Sequence, residues 1–328
     1  MKLFDTLKAK IKPVQPRIVF PEGTEPRVLA AALRLAADGL VRPMLLGNKA
    51  AIIAAAEKLA LPGLKQSKII DPQTYPEDAY QAMVTAFVER RKGKNTPAEA
   101  EKILRDETYF GTMLVYMGQA DGLVSGAVHS TGDTVRPALQ IIKTQPGASR
   151  ISSSFLMMRN DEQEKYIMGD AAINVDPNAQ ELAEIALQSA ATAKLFGMEP
   201  RVAMLSFSTK GSAQAPMVTK VQEATKLAQE MDPELQIDGE LQFDAAFVPS
   251  VGERKAPGST VAGHANVFIF PELQSGNIGY KIAQRLGGFE AIGPILQGMA
   301  KPVSDLSRGA STEDVYKVAI LTAAQSLM

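Results

Sequence analysis

Short apolar runs alternate with longer amphipathic stretches along most of the chain. Apolar runs bounded by turn residues favour buried strands, and apolar positions spaced by three or four residues favour helices. The predicted strands lie at residues 17–20, 44–46, 122–126, 151–158, 166–173, 202–207, 235–238 and 265–270. The predicted helices lie at residues 24–37, 50–59, 77–91, 134–142, 178–196 and 216–230, with further helices starting after Thr96 and Thr312. This alternation predicts an α/β fold with mostly parallel sheets and flanking helices.

A turn-rich segment at residues 143–149, centred on Pro146 and Gly147, marks the predicted domain boundary. Gly287-Gly288 and Gly293-Pro294 interrupt the second half of the pattern. The C-terminal segment is expected to return to the first domain. The sequence therefore predicts a first domain of residues 1–146 plus 297–328 and a second of residues 147–296. A ligand site is expected in the cleft between them.

Composition narrows the class of protein. The chain has 328 residues, of which 45% are hydrophobic, and a net charge of −1. That length suits about two domains with real cores. The charge gives no electrostatic case for nucleic acid or membrane partners. No apolar run is long enough for a membrane span, and the N-terminus lacks the pattern of a signal peptide, so we expect a cytoplasmic protein.

The chain contains no cysteine and two histidines, His129 and His264. Thiolate catalysis and cysteine–zinc sites are therefore excluded. The histidines lie far apart in sequence without ligand-like neighbours, so we expect no metal site, and each is read as a structural histidine. Chemistry would rest on carboxylates, hydroxyls, Arg and Lys, which suits anionic, already activated substrates.

Three loops that follow strands or precede helices are rich in groups that bind anions. The first, residues 125–136, includes Ser130 and Thr131, and the second, residues 206–212, includes Ser208 and Lys210. Ligands of α/β sheets collect at the carboxyl ends of strands, so these loops are candidate phosphate sites. Helix capping or an ordinary turn explains the same residues as well.

The third loop precedes the C-terminal helix and contains Ser307 and Arg308, with Asp314 following. Amide N–H groups at a helix start favour phosphate or an oxyanion, and an arginine adds a fork for two anion oxygens. The alternative is a cap at Ser311 or Thr312 with Asp314 as a first-turn acid. The chain has no P-loop, no dinucleotide fingerprint and no nucleophile elbow.

With these segments in view, the chain resembles the phosphate acetyl/butyryltransferase family, and within it the phosphate acetyltransferases (phosphotransacetylases). The resemblance is carried by residues 19–23 (VFPEG), 109–115 (YFGTMLV), 120–126 (ADGLVSG), 129–131 (HST), 134–140 (TVRPALQ) and 305–309 (DLSRG). It implies reversible transfer of an acetyl group between CoA and inorganic phosphate, with CoA as a substrate and no cofactor. It also implies a two-domain fold like that of isocitrate and isopropylmalate dehydrogenases, and a homodimer.

The resemblance also carries residue roles. It implies Ser307 as a hydrogen-bonding catalytic serine, Arg308 as the anion-binding arginine and Asp314 as the base that acts on the CoA thiol. Arg136 would contact CoA or phosphate, and Arg90, or its neighbour Arg91, would be a second such arginine. Many relatives have cysteine where this chain has Ala310.

Three other functions remain open from the sequence. A phosphate butyryltransferase differs only in acyl length. A metal- and NAD(P)-dependent oxidative decarboxylase would need clustered aspartates, whereas Asp133, Asp170, Asp244 and Asp305 are scattered. The third is a protein that binds CoA or phosphate without catalysis.

Overall fold

The computed structural model describes residues 2–327. The chain divides into two compact units. The first unit extends to Gln145 and resumes at Met299, and the second is the continuous segment Pro146–Gly298. The segment from Met299 onward therefore belongs to the first unit.

The first unit is a parallel sheet with helices around it. Its strands are β1 (Arg17–Phe20), β2 (Arg42–Leu46), β3 (Lys68–Ile70), β4 (Gly122–Ser125) and β11 (Val303–Asp305). Its helices are α1 (Leu3–Ile11), α2 (Pro26–Ala37), α3 (Lys49–Leu59), α4 (Glu77–Arg90), α5 (Pro97–Ile103), α6 (Glu107–Tyr116), α7 (Thr131–Ile141) and α13 (Thr312–Gln325). The strand order is β3-β2-β1-β4-β11, and the pairs are parallel.

The core of the first unit follows from its sequence pattern. The apolar residues of β1 and β4 are fully buried, as central strands of a covered parallel sheet require. Helix α13 buries every residue from Val315 to Ala324 except Lys317, and it contacts α1, α2, β1, β4 and β11. The segment after the second unit thus supplies both a strand and a core helix to the first.

The second unit has a mixed sheet with the strand order β10-β5-β6-β9-β7-β8. Its strands are β5 (Ser152–Arg159), β6 (Glu164–Gly169), β7 (Arg201–Leu205), β8 (Gln236–Leu241), β9 (Val267–Ile269) and β10 (Glu290–Gln297). Its helices are α8 (Ala179–Leu195), α9 (Pro216–Met231), α10 (Phe243–Phe247), α11 (Pro249–Lys255) and α12 (Leu273–Arg285). The pairs β10–β5 and β5–β6 are antiparallel, and the others are parallel. The predicted α/β class with mostly parallel strands is confirmed.

Two differences between the structure and the predicted elements lie within residues 293–305. Gly293-Pro294 was expected to end regular structure, yet both residues lie inside β10, where the pairing with β5 shifts register between Ile292 and Ile295. A local irregularity of this kind accommodates Gly and Pro within a strand. Residues 303–305 belong to none of the predicted elements, but they form β11, a strand too short to show a period.

Candidate active site

A buried glutamate organises the loop after β4. Glu22 lies just beyond β1 and is 5% exposed. Its carboxylate accepts hydrogen bonds of 2.9 Å from the amides of Ala127 and Val128, and longer ones from the amides of Gly126 and His129. Backbone N–H groups that converge in this way form a nest for an anion. We call residues 126–129 the Glu22 loop, because the anion that its amides bind is a carboxylate of the protein itself.

The same carboxylate orients His129. The Nδ1 atom of His129 lies 2.8 Å from Oε1 of Glu22, and the His129 side chain is 35% exposed. A carboxylate on one ring nitrogen fixes the orientation of an imidazole. His129, which the sequence indicated as a structural histidine, therefore has Glu22 as its hydrogen-bond partner.

Helix α7 begins immediately after this loop. Ser130 is the N-cap residue, and its hydroxyl donates to Oδ2 of Asp133 at 2.7 Å. That hydrogen bond lowers the pKa of Asp133. Thr131 is the first helical residue, so Ser130 and Thr131 occupy the capping positions that the sequence also allowed. Arg136 lies one turn further on, with a side chain that is 61% exposed.

Ser307 and Arg308 lie on an exposed turn directly after β11. The hydroxyl of Ser307 accepts a 3.2 Å hydrogen bond from the amide of Gly309, and the Ser307 carbonyl accepts one of 2.8 Å from the amide of Ala310. We call residues 307–310 the Ser307 turn. Strand β11 pairs with β4, and the amide of Leu306 donates to the carbonyl of Ser125 at 2.7 Å. The structure therefore brings the first and third predicted loops to the same edge of the first unit's sheet.

Asp314 lies in the first turn of α13, where it forms a capping box with Ser311. Its Oδ2 atom accepts hydrogen bonds of 2.8 Å from both the amide and the hydroxyl of Ser311. The hydroxyl of Ser311 in turn accepts from the amide of Asp314. The structure therefore gives Asp314 the capping role that the sequence left open, and both bonds to its carboxylate fall on a single oxygen.

A second buried carboxyl group lies at the end of β11. Asp305 is 1% exposed, and its burial raises its pKa to about 6. Within residues 2–327, Oδ1 of Asp305 and the hydroxyls of Ser125 and Thr134 lack hydrogen-bond partners. The sequence pattern assigned no role to Glu22 or Asp305, which lie two residues after β1 and at the last position of β11.

Arg90 lies at the end of α4, and its guanidinium donates to the carbonyls of Ile141 and Ile142 at 2.6 and 2.8 Å. It thereby caps the C-terminus of α7 rather than that of its own helix. Desolvation lowers the pKa of Lys143, and so do the nearby charges of Arg90, Arg91, Lys92 and Lys94. Mutual repulsion among these cations makes their surroundings favourable to an anion.

Ser208 and Lys210, the predicted substrate-binding residues of the second loop, both have hydrogen-bond partners within the second unit. Ser208 is fully buried, and its hydroxyl donates to Oε1 of Glu240 at 2.8 Å. The ammonium group of Lys210 binds Asp238 and the carbonyl of Gly239. This loop encloses the buried carboxylate of Glu240, which also accepts a hydrogen bond from the amide of Gly211 at 2.7 Å.

In the part of the chain that the structure describes, no group of three or more His, Asp or Glu side chains is arranged to hold a metal ion. A search of those same residues found no helix that could cross a membrane.

Comparison with known proteins gives consistent matches over nearly the whole chain. The family model described as phosphate acetyl/butaryl transferase matches residues 2–323. A curated phosphate acetyltransferase from Bacillus subtilis is 59% identical over 99% of each chain. The crystal structure of a Streptococcus pyogenes phosphotransacetylase has a TM-score of 0.95 and 59% identity, and covers 99% of this chain and 98% of its own. A 4-hydroxythreonine-4-phosphate dehydrogenase from Klebsiella pneumoniae shares the fold, with a TM-score of 0.55 at 12% identity over 96% of this chain and 100% of its own.

Proposed function

Because the chain belongs to the phosphate acetyl/butaryl transferase family and is an acyltransferase, we propose that it transfers an acetyl group reversibly between CoA and inorganic phosphate. The observation that carries the proposal is 59% identity, over 99% of the chain, with a phosphate acetyltransferase. The substrates are acetyl-CoA and phosphate in one direction, and acetyl phosphate and CoA in the other. The proposed reaction uses no cofactor.

The first step is activation of the CoA thiol. A thiol with a pKa near 8.5 is only a few per cent thiolate at neutral pH, so a positioned base accelerates its attack by about 10²- to 10⁴-fold. Asp314 is the proposed base. The hydrogen bonds from Ser311 hold one oxygen of its carboxylate, which leaves Oδ1 to take the proton.

The thiolate then attacks the carbonyl carbon of acetyl phosphate, and negative charge develops on the carbonyl oxygen. The hydroxyl of Ser307 donates to this oxyanion, and loss of one such donor typically costs about 2.7–4 kcal/mol of transition-state stabilisation. Arg308 binds the phosphoryl oxygens and stabilises the phosphate that leaves as the carbon–oxygen bond breaks. The exposure of both side chains on the Ser307 turn supports these roles.

The phosphate groups of CoA need cationic partners. Arg136 offers a largely exposed guanidinium near the start of α7, where the helix dipole also favours an anion. Arg90 and its cationic neighbours form a second basic region at the other end of the same helix. We propose that Arg136 and Arg90 bind CoA, with Ser130 and Thr131 lining the site at the helix start.

The deciding experiment mixes the protein with acetyl phosphate and CoA and follows thioester and phosphate together. Equal amounts of both, formed faster than from butyryl phosphate, would support acetyl transfer. A faster reaction of the butyryl substrate would instead favour a phosphate butyryltransferase, since one methylene in a pocket is worth about 1–3 kcal/mol. Failure to form any thioester would contradict the proposed function.

Direct transfer in a ternary complex has its own test. No acyl-enzyme is needed, because acetyl phosphate is already activated. Labelled phosphate should therefore exchange into acetyl phosphate only when CoA is present. Exchange in the absence of CoA would require an acyl-enzyme and would rule out direct transfer.

We also propose that the enzyme is a homodimer, with α12 at the interface. Ile278, Ile282 and Leu286 follow one another at four-residue spacing along this helix and its end, and they are 53%, 53% and 85% exposed. An apolar stripe of this size on a surface helix is typical of an interface between chains.

A further inference from the structure

One arginine holds the Glu22 loop and the Ser307 turn together. The guanidinium of Arg27, in the first turn of α2, donates from Nη1 to the carbonyls of Arg308 at 2.9 Å and Ala310 at 2.7 Å. Its Nη2 donates to the carbonyl of Ala127 at 3.0 Å. Arg27 thus binds backbone oxygens of both segments, which lie 100 and 281 or more positions away in sequence.

Glu25 fixes the guanidinium in this orientation. Its Oε1 accepts from Nε of Arg27 at 2.7 Å, and its Oε2 accepts from the amides of Arg27 and Val28 as the N-cap of α2. The Glu25 side chain is 14% exposed and that of Arg27 is 31% exposed. A planar fork held at Nε presents its other donors in a fixed geometry, whereas the three donors of a lysine ammonium rotate on a flexible stem.

Each of the three carbonyls belongs to a peptide group whose N–H donates to a side chain of the site. In a trans peptide the N–H points away from the C=O, so a partner that fixes the carbonyl also fixes the direction of the next residue's amide. The amide after Arg308 is that of Gly309, which donates to the Ser307 hydroxyl oxygen. The amide after Ala310 is that of Ser311, which donates to the Asp314 carboxylate.

The third peptide group, which joins Ala127 to Val128, lies in the Glu22 loop. The amide after Ala127 is that of Val128, which donates to the Glu22 carboxylate. Arg27 therefore binds the carbonyl oxygens of these three peptide groups, and their N–H groups bind Ser307, Asp314 and Glu22. Hydrogen bonds that act through a shared peptide group strengthen one another.

We propose that Arg27 is a positioning residue, which acts through these peptide groups to orient the Ser307 hydroxyl and the Asp314 carboxylate for acyl transfer. It contacts backbone oxygens rather than the reacting groups. The inference rests on the proposed function for its kinetic consequence, but the orientation of the Ser307 turn can be measured without activity.

The test compares Arg27→Ala with Arg34→Ala. Arg34 is on the same helix and also joins it to α13, but it does so through the side chains of Glu313 and Tyr316. Loss of Arg27 should lower kcat by about 10- to 100-fold, because small misplacements of reacting groups have effects of that size. The KM for CoA should stay within about twofold in both variants, and Arg34→Ala should keep the parent's kcat.

Two further measurements separate positioning from a general loss of stability. Guanidinium ion added to Arg27→Ala should restore part of kcat, whereas urea at the same concentration should not. Arg27→Lys should fall between the parent and Arg27→Ala, and it carries the comparison if the alanine variant fails to fold. Hydrogen exchange in peptides that cover residues 126–129 and 307–311 should be faster in Arg27→Ala and unchanged in Arg34→Ala.

Several outcomes would overturn the proposal. One is a parent-like kcat and parent-like exchange in Arg27→Ala. Another is an equal loss of kcat in Arg34→Ala. If the parent itself makes no thioester, the proposed function fails, and the exchange measurement then decides alone whether Arg27 orders the two segments.

Discussion

Asp305 is a carboxyl group that the fold removes from water without giving Oδ1 a partner among the described residues. Its pKa of about 6 lies above the ordinary 3.8, so the native state holds this proton more tightly than the unfolded state does. The contribution of Asp305 to stability is therefore greatest below pH 3.8 and decreases as the pH rises towards 6. The difference between the two pKa values corresponds to about 3 kcal/mol in the free energy of unfolding.

Asp305→Asn should remove this dependence, because the amide mimics the protonated acid. Relative to the parent, the variant should gain up to about 3 kcal/mol in free energy of unfolding between about pH 4 and about pH 7. Denaturant unfolding of both proteins at the two pH values measures the gain. A difference between parent and variant that does not change with pH would mean that Asp305 titrates normally.

Asp314 combines a capping role with a proposed catalytic one, and two variants separate them. Asp314→Asn should lower kcat by about 10²-fold or more while sparing the KM for CoA, because it removes the base. Ser311→Ala removes the capping partner but keeps the carboxylate. Ser311→Ala should lower the free energy of unfolding by about 1 kcal/mol and should lower kcat much less than Asp314→Asn does. Equal losses of kcat in the two variants would assign the effect of Asp314 to the cap.

Single side chains were predictable from the sequence only where their surroundings are local. Ser307, Arg308 and Asp314 lie within eight positions, and the structure places them around one turn and the helix start that follows it. The contact of Glu22 with Ala127 spans 105 positions, and that of Arg27 with Ala310 spans 283. The periodicity of a short sequence segment cannot reveal contacts between residues so far apart in the chain. The roles of Glu22 and Arg27 therefore emerged only from the fold.

At the scale of elements, one arrangement recurs: a buried carboxylate in a strand or just after one accepts hydrogen bonds from the amides or hydroxyls of a loop. Glu22 does so in the first unit, and Asp170, after β6, accepts from the amides of Ala172, Ile173 and Asn174 in the second. Glu240 does so with Ser208 and the amide of Gly211. The sequence predicted these donor-rich loops as phosphate sites, and it could not show that their donors at 126–129 and 208–211 bind carboxylates of the protein itself.

Close approach of the two site segments depends on Gly126. Its φ is +109°, and a Cβ there would lie 2.4 Å from Oδ1 of Asp305 and 2.7 Å from backbone atoms of Leu306. Gly126→Ala should therefore lower stability by more than the roughly 1–2 kcal/mol that positive φ alone costs, and should lower kcat as well. Gly118→Ala is the matched control, because Gly118 has a φ of +71° and open space around it. Thermal unfolding and kcat of both variants test the difference. Equal effects would show that the contact with Asp305 is unimportant.

Most of the long helices were predicted, but α1, α12 and several short elements were not. The predicted helix start after Thr96 is confirmed, with a capping box at that residue, and so are the long helices α8 and α9. The start of α7 was placed at residue 134, although the helix begins at Thr131, because Gly132 and Asp133 look like a turn. Strand β11 was missed because its three residues carry no pattern of their own.

At the scale of the whole molecule, the apolar stripe on α12 gives the homodimer proposal a direct test. Ile282→Glu places a charge in the middle of the stripe and should shift the protein from dimer to monomer. Leu61→Glu is the control, since Leu61 is a similarly exposed apolar residue of the first unit. Light scattering after size-exclusion chromatography gives the mass of each. A parent that is already monomeric, or an Ile282→Glu variant that stays dimeric, would contradict the proposed interface.

The return of β11 and α13 to the first unit has a consequence for biosynthesis. A ribosome releases residues 2–145 long before residues 299–327, although all of them share one core. Proteins fold during synthesis as their domains become complete, so the continuous second unit has all its residues first, while the earliest residues wait. A chain that stops before residue 303 lacks the Ser307 turn and leaves the apolar surface under α13 uncovered. Prematurely terminated products would therefore be inactive and would also expose an apolar surface. Chaperones and proteases can recognise that surface and remove such products.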